Sequence, residues 1–230
     1  MAWFSDLYRS AVGKKAVMAV TGIILFAFVL GHLLGNLKLY LGPEALNGYA
    51  RFLRTAGEPV VPENVLLWAI RLVLIAAVAL HVWAAWQLSR VSRAARPDAY
   101  VAGTRIHTTY ASRTMRWGGV IILLFVIYHL LHLTWGTMHP DFLPAKGDEY
   151  HVYHNVVTGF HEWWVSLFYI AAQVALGFHL YHGLWSMFQS LGWNHPRFNL
   201  WRNGFAHAFA WLITLGNVSF PVAVLSGLVH

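Results

Sequence analysis

The sequence has little charge and no cysteine. Only 11% of its 230 residues are charged, whereas about 25% is usual in a soluble domain. So large a deficit indicates that most of the chain has no water to face. The absence of cysteine excludes disulfides, thiolate metal sites, iron–sulfur clusters and thiol nucleophiles from this chain.

Histidine and tryptophan are abundant instead, with 14 and 12 copies. Histidine is the commonest side chain that binds metals, and tryptophan is favoured at membrane interfaces. The formal net charge of +7 would point to nucleic acid in a soluble protein. The positions of the basic residues along this chain give a different explanation.

Five stretches lack charge for long enough to cross a bilayer, which takes about 20 helical residues. They predict spanning helices at about residues 16–40, 65–90, 115–138, 161–191 and 204–229, in one membrane domain over residues 1–230. We therefore expect an all-α integral membrane fold. The first run is longer than the apolar region of a typical signal peptide, so we expect it to be retained.

Basic residues are concentrated on one side of these helices. Three precede the first helix, six lie between the second and third, and two lie between the fourth and fifth, which makes 11 of the 16 Lys and Arg. Positive residues mark the cytoplasmic side of a membrane protein. The pattern predicts an N-terminus inside and a C-terminus outside, and it accounts for the net charge.

Four of the five predicted helices carry a histidine deep in the apolar run, namely His32, His81, His129 and His179. An imidazole in hydrocarbon is costly unless it is paired, so an intramembrane histidine is a candidate functional residue. A single histidine would as readily be a polar contact between helices. One on each of four helices favours a shared function.

The depth of these histidines predicts which of them meet. Counted from the inner helix ends, His32 and His129 lie roughly 24 and 20 Å deep, and His81 and His179 roughly 14 and 17 Å deep. Alternate helices are diagonal partners in an antiparallel four-helix bundle. In a bundle of the first four helices, His32 and His129 would therefore meet in the outer half of the membrane. His81 and His179 would meet in the inner half. Two histidines at one level suit a six-coordinate haem iron, so we expect two stacked haems.

Two further histidines leave the choice of ligand open. His132 and His182 each follow one of the four by three residues, on the same predicted helix face. From the residues alone, either could be the ligand, or could bond a haem propionate or a quinone. Small residues also flank the histidines, namely Gly31, Gly35, Gly177 and Gly183. Such spacing is equally typical of helix packing without a cofactor.

Four segments carry a family resemblance that covers most of the chain. They are SAVGKKAVMAVTGIILFAFVLGHLLGNLK, LVLIAAVALHVWAAWQL, RWGGVIILLFVIYH and FYIAAQVALGFHLYHGLWSMF. The chain resembles the five-helix, di-haem cytochrome b anchor of bacterial succinate dehydrogenases and fumarate reductases. LNGYARFLR is similar to that family's short interfacial helix. The family pairs ligands on the first and third helices and on the second and fourth, and its pattern favours His129 over His132 and His179 over His182.

The resemblance implies an electron-transfer subunit of a succinate:quinone oxidoreductase in the bacterial cytoplasmic membrane. Such a subunit holds two haem b groups and passes electrons between an iron–sulfur subunit and quinone, with menaquinone the expected substrate. FAD and the iron–sulfur clusters would belong to the flavoprotein and iron–sulfur partner subunits. The chain would link the tricarboxylic acid cycle to the respiratory chain, with no catalytic residue and no dehydrogenase activity of its own.

Four more residues are candidates for roles around the haems. Some relatives use a glutamate between the first two helices near the outer haem and its quinone, and Glu58 and Glu63 are the candidates here. Arg113 and Arg116 stand at the inner entry to the third helix and are candidates to neutralise propionates of the inner haem. The positive-inside rule explains these two arginines equally well.

Two other functions are compatible with four buried histidines. One is the di-haem cytochrome b of another quinone-linked complex, such as a hydrogenase or formate dehydrogenase, or of the ascorbate-reducible type. The other is a haem-free anchor or transporter whose histidines carry protons. A haem spectrum separates the second from the first, and the identity of the copurifying subunits separates the first from the succinate-linked anchor.

Overall fold

The fold is entirely helical in the part of the chain that the structure describes. The computed structural model describes residues 10–94, 110–193 and 195–230, with side chains from residue 115 onward in the second range. Within these ranges, β structure is confined to one isolated bridge between Lys146 and Glu149. The prediction of an all-α fold is confirmed.

Five helices are long and apolar enough to cross a membrane. They are α1 (Ala11–Asn36), α3 (Val65–Ala94), α4 (Tyr110–His129), α6 (Trp163–Ser190) and α7 (Asn199–Leu225). Helix α1 continues as a 3₁₀ turn over Leu37–Leu41, and helix α4 continues as a π turn over Leu130–Thr134. The chain is a multi-pass membrane protein whose helices contact lipid.

The helices begin and end at residues that charge-free runs do not reveal. The first begins five residues before the predicted start, because Ser10 caps it by accepting a hydrogen bond from Gly13 N at 2.9 Å. The last begins at Asn199 and so includes Arg202. Absence of charge locates the bilayer core, whereas backbone hydrogen bonds continue past it.

Two short helices lie between the spans at the same end of the molecule. The first, α2 (Pro43–Thr55), has proline in its first turn and follows α1. The second, α5 (Val152–His161), precedes α6 and packs against α2. The interfacial helix implied by the resemblance corresponds to α2, whereas the sequence patterns predicted nothing at α5. We call this end of the molecule the α2 end.

The closest helix pairs are α1 with α3, α4 with α6, and α6 with α7, and α6 and α7 also contact α1. Small residues permit this approach, since a methyl group at Gly216 would lie 2.8 Å from Leu33 on α1, and one at Gly177 would collide with Thr214. In the most apolar stretch of each helix, 39% of residues are buried in α6 and 44% in α7, against 6% in α3. The core therefore centres on α6 and α7, and α3 is left largely to the bilayer.

Candidate functional site

Two histidines from α1 and α4 meet on the side of the molecule nearer the α2 end. The ring centroids of His32 and His129 are 5.9 Å apart and their planes are inclined at 85°. Phe28 stacks on His32 at 5.3 Å, and Phe125 lies 5.8 Å from His129. We call this pair the His32 site.

Two histidines from α3 and α6 meet farther from the α2 end. The ring centroids of His81 and His179 are 6.3 Å apart, with the planes inclined at 64°. Glycines of the two other helices stand beside these rings. A methyl group at Gly22 would lie 3.5 Å from His81 Cε1, and one at Gly119 would lie 3.8 Å from His179 Cε1. We call this pair the His81 site.

Each site joins helices that are not neighbours in the closest packing. The His32 site joins α1 to α4 and the His81 site joins α3 to α6, whereas the close pairs are α1 with α3 and α4 with α6. Thr21 contacts the His81 site from α1, the same helix that carries His32. Eleven helical residues separate Thr21 from His32, so the two sites lie at levels about 16 Å apart along the helix.

One ring in each site has its Nδ1 atom beside a hydroxyl group of a third helix. Tyr169 Oη on α6 lies 3.3 Å from Nδ1 of His129. Thr21 Oγ1 on α1 lies 3.1 Å from Nδ1 of His81 and donates to the Val17 carbonyl at 2.7 Å. Sequence analysis missed both hydroxyls, and the spacing of a hydroxyl residue ten or eleven positions from a histidine was the only available signal.

The other ring of each site has no such support. His179 Nδ1 is buried without a hydrogen-bond partner among the described residues. No described residue hydrogen-bonds to the His32 ring, which is exposed although Phe28 and His129 lie beside it. Imidazoles without a hydrogen-bond partner are costly at membrane depth.

His132 is turned away from His32 by the π turn that starts after His129. Trp135 N donates to Leu130 O at 2.9 Å, five residues back, and such turns often occur at functional sites. The wider turn directs His132 towards α6 and α5, where its Nδ1 lies 3.0 Å from Tyr169 Oη. Its side chain is buried, with 2% exposed. Of the two candidates on α4, the structure brings His129 to His32.

His132 lies in a packed stack with His139, a histidine of the segment that precedes α5. The rings of His132 and His139 are parallel to within 17°, with centroids 4.8 Å apart. His139 Nε2 donates to the Asn155 carbonyl at 2.9 Å, and its Nδ1 accepts from Asp141 N at 3.2 Å. A methyl group at Gly159 would lie 2.8 Å from His132 Cε1. Glycine therefore lets α5 close over the stack.

The remaining predicted residues are dispersed. His182 is half-buried on α6, and the ring beside His81 is that of His179. Glu58 and Glu63 are exposed in the segment between α2 and α3, where Glu63 accepts a hydrogen bond from its neighbour Asn64 at 3.2 Å. Arg116 is exposed on α4. The side chain of Arg113 lies outside the described residues.

Arg202 was counted with the loop charges, but it is buried within α7, with 2% exposed. Its guanidinium lies 5.0 Å from the ring centroid of Trp185, and it donates to the Trp193 carbonyl at 2.5 Å and to Asn199. These contacts tie the C-terminal end of α6 to α7. The residue therefore stabilises a helix connection, in addition to any effect on orientation.

The two sites each bring together two histidine side chains that could bind a metal. Among the described residues, no group of three or more His, Cys, Asp and Glu side chains could hold a metal ion. Gly35 and Gly177 pack against Tyr49 and Thr214, so they serve helix packing, whereas a methyl group at Gly31 would meet nothing within 4 Å.

Comparison of the chain with protein-family models, with curated proteins and with solved structures gives no match.

Proposed function

We propose that this chain is a di-haem cytochrome b that anchors a succinate:quinone oxidoreductase in the membrane. The observation that carries the proposal is the spacing of the two ring pairs, 5.9 and 6.3 Å between centroids. A metal–imidazole bond is about 2.0 Å and a ring centroid lies about 1.1 Å from its nitrogen, so two imidazoles on opposite sides of one metal have centroids about 6 Å apart.

The number of donors favours haem over a bare ion. Protein sites for zinc and similar ions use three or four side-chain ligands, and each site here offers two imidazoles. Haem iron takes its equatorial ligands from the macrocycle and needs only axial ligands from the protein. The chain has no cysteine, so a thiolate-held cluster is excluded.

An open apolar groove lies near each pair and is lined by neighbours of its histidines rather than by the rings themselves. A groove of about 400 Å³ runs between α3 and α4, and its lining includes Val78 and Val82, which flank His81 by three residues and one residue. A second groove, of about 360 Å³, runs between α1 and α3 and includes Phe28, which stacks on His32. Glycines face the Cε1 atoms of His81 and His179, so no side chain from those two positions packs on these ring edges.

In this proposal the chain's own residues hold the iron and exclude water. In each site two imidazoles, one from each of two helices, would hold the haem iron. When bound, the haems would supply one-electron transfer between two levels that lie about 16 Å apart along α1. Apolar side chains of the five spans keep water from both levels, and neutral imidazoles bind the iron without adding charge to the membrane interior.

The succinate-linked assignment combines these sites with the four segments that resemble the family's anchor. Its partners would be an iron–sulfur subunit and a flavoprotein with FAD, and its substrate would be a quinone. With the N-terminus in the cytoplasm, the His81 site would be the inner one, nearer those partners. The predictions for the quinone and propionate contacts remain Glu58, Glu63, Arg113, Arg116, His132 and His182.

A reduced-minus-oxidised spectrum of the purified membrane protein, with pyridine haemochrome quantification, tests the proposal. We expect two b-type haems per wild-type chain, and one per chain in each of His32→Ala and His179→Ala. His207→Ala is the matched control, because this histidine is exposed on α7 and its ring lies against Tyr181 at 4.2 Å. A wild-type chain without haem would return the histidines to structural or proton-carrying roles.

Copurification tests the choice among quinone-linked complexes. Purified through a tag on this chain, the native complex should contain covalent or tightly bound FAD, iron–sulfur clusters and succinate-dependent quinone reduction. Copurification of a hydrogenase or a formate dehydrogenase instead would keep the haem assignment and overturn the succinate-linked one.

A further inference from the structure

Helices α1 and α6 each carry a histidine of one site and a hydroxyl group of the other. On α1, His32 belongs to the His32 site and Thr21 contacts His81. On α6, His179 belongs to the His81 site and Tyr169 contacts His129. The separations along the two helices are 11 and 10 residues, which correspond to about 16 and 15 Å of helix rise, so each of the two helices reaches both sites.

The hydrogen bonds of Thr21 determine which proton the His81 ring carries. A hydroxyl has one hydrogen, and that of Thr21 has two carbonyl acceptors on its own helix, Val17 O at 2.7 Å and Met18 O at 3.2 Å. Towards His81 the oxygen can then only accept, so Nδ1 of His81 carries the proton. The Nε2 lone pair of His81 is left for a metal.

Tyr169 is placed to do the same for His129 and has a second partner. Its oxygen lies 3.3 Å from Nδ1 of His129 and 3.0 Å from Nδ1 of His132. With one hydrogen it can donate to one ring and accept from the other. If the tyrosine donates to His132, the nearer ring, its oxygen is left to accept the Nδ1 proton of His129.

We propose that Thr21 and Tyr169 are positioning residues. Each fixes the tautomer and orientation of one imidazole from a neighbouring helix, so that Nε2 of His81 and of His129 faces the iron. The inference rests on the proposed function for the iron, while the hydrogen bonds themselves belong to the chain. Metal-bound histidines usually donate their other N–H to such a group, which raises the basicity of the ligand.

The proposal predicts that, in redox titrations, each hydroxyl variant shifts the potential of one site only, and that this is not the site to which the histidine of the same helix belongs. A more basic imidazole favours ferric over ferrous iron, so removal of the hydroxyl should raise the midpoint potential of the affected haem. Tyr169→Phe should shift only the haem of the His32 site upward, and Thr21→Val only that of the His81 site. His32→Ala and His179→Ala, which each retain one haem, assign the two potentials.

Ring packing and shape are largely retained in both variants, and two controls separate a hydroxyl effect from a fold effect. Tyr128 Oη is buried without a hydrogen-bond partner in the described structure, so Tyr128→Phe should leave both potentials unchanged. Thr21→Ser keeps the hydroxyl and should restore the wild-type potential of the His81 site. The low-spin EPR signal of the affected haem should move with its potential, since the ring is freed to rotate.

Three outcomes are distinguishable. Crossed shifts support the positioning role. Two haems with unchanged potentials and EPR signals in both variants would overturn it and leave the proposed function standing. A wild-type chain without haem would overturn the proposed function itself.

Discussion

The two histidine pairs are similar in spacing but differ in what surrounds them. In the His32 site, Tyr169 links His129 to His132, which stacks on His139 in the segment before α5. In the His81 site, the contact to Thr21 ends at a carbonyl of the same helix as the threonine. The first site is thus connected by polar groups to the α2 end, whereas the second is enclosed by apolar helices. The same set of helices therefore holds two similar histidine pairs whose hydrogen-bonding surroundings differ.

The largest difference is expected between two histidines on the same helix. His129→Ala should abolish one haem, because His32 then has no partner across the site. His132→Ala should retain both haems, since the π turn directs that ring to Tyr169 and away from His32. Pyridine haemochrome quantification of both purified variants measures this. Loss of haem in His132→Ala with retention in His129→Ala would reverse the ligand assignment on α4.

A methyl group at Gly159 should disturb the His32 site alone. It would lie 2.8 Å from His132 Cε1 and 3.0 Å from His139 Nε2, and such overpacking costs about 1–3 kcal/mol. We expect Gly159→Ala to lower the thermal midpoint and to shift the potential of the His32-site haem, with the His81 site unchanged. Gly204→Ala on α7, which meets nothing within 4 Å, is the control. An equal shift of both potentials would show that the two sites are not packed independently.

Combining the two hydroxyl variants tests that independence more finely. Thr21 and Tyr169 share no hydrogen-bond partner and contact different sites, and substitutions of that kind usually add. In the double variant Thr21→Val with Tyr169→Phe, each haem should show the potential of its own single variant. A redox titration in which the double variant departs from both single values would reveal coupling between the sites.

The smallest effect is expected from an added methyl group in the His81 site. At Gly22 it would lie 3.5 Å from His81 Cε1, an ordinary van der Waals contact. Gly22→Ala should therefore leave the haem content and both potentials near wild type, in contrast to Gly159→Ala. Loss of the His81-site haem in this variant would mean that the glycine edge is needed by the macrocycle itself.

The number of spanning helices could be predicted from the sequence, because a long charge-free run in a membrane protein has few possible structures other than a spanning helix. Helix ends were harder to predict. Lys14 and Arg202 lie inside helices whose predicted first residues come after them in the chain. The levels of His32, His81, His129 and His179 followed from helix rise, and the structure brings together the rings that those levels pair. What their rings bind remains a prediction.

Other features of the site depend on contacts that no local pattern reports. The π turn after His129 involves one widened hydrogen-bonded turn in an otherwise apolar helix, and an α-helix would be expected for the same residues. Helix α5 is short and contacts the rings of His132 and His139 through Gly159 and the Asn155 carbonyl. Tyr169 and Thr21 look like ordinary residues of membrane helices until the neighbouring rings are in place.

The most direct test of the central claim is the haem content of two double variants beside the wild type. Because His32 and His129 form one site, His32→Ala with His129→Ala should retain one haem per chain, the same as either single variant. His32→Ala with His179→Ala removes one ring from each site and should retain none, against two in the wild type. Loss of both haems in the first double variant, or retention of one in the second, would contradict the pairing, and a wild-type chain without haem would contradict the function.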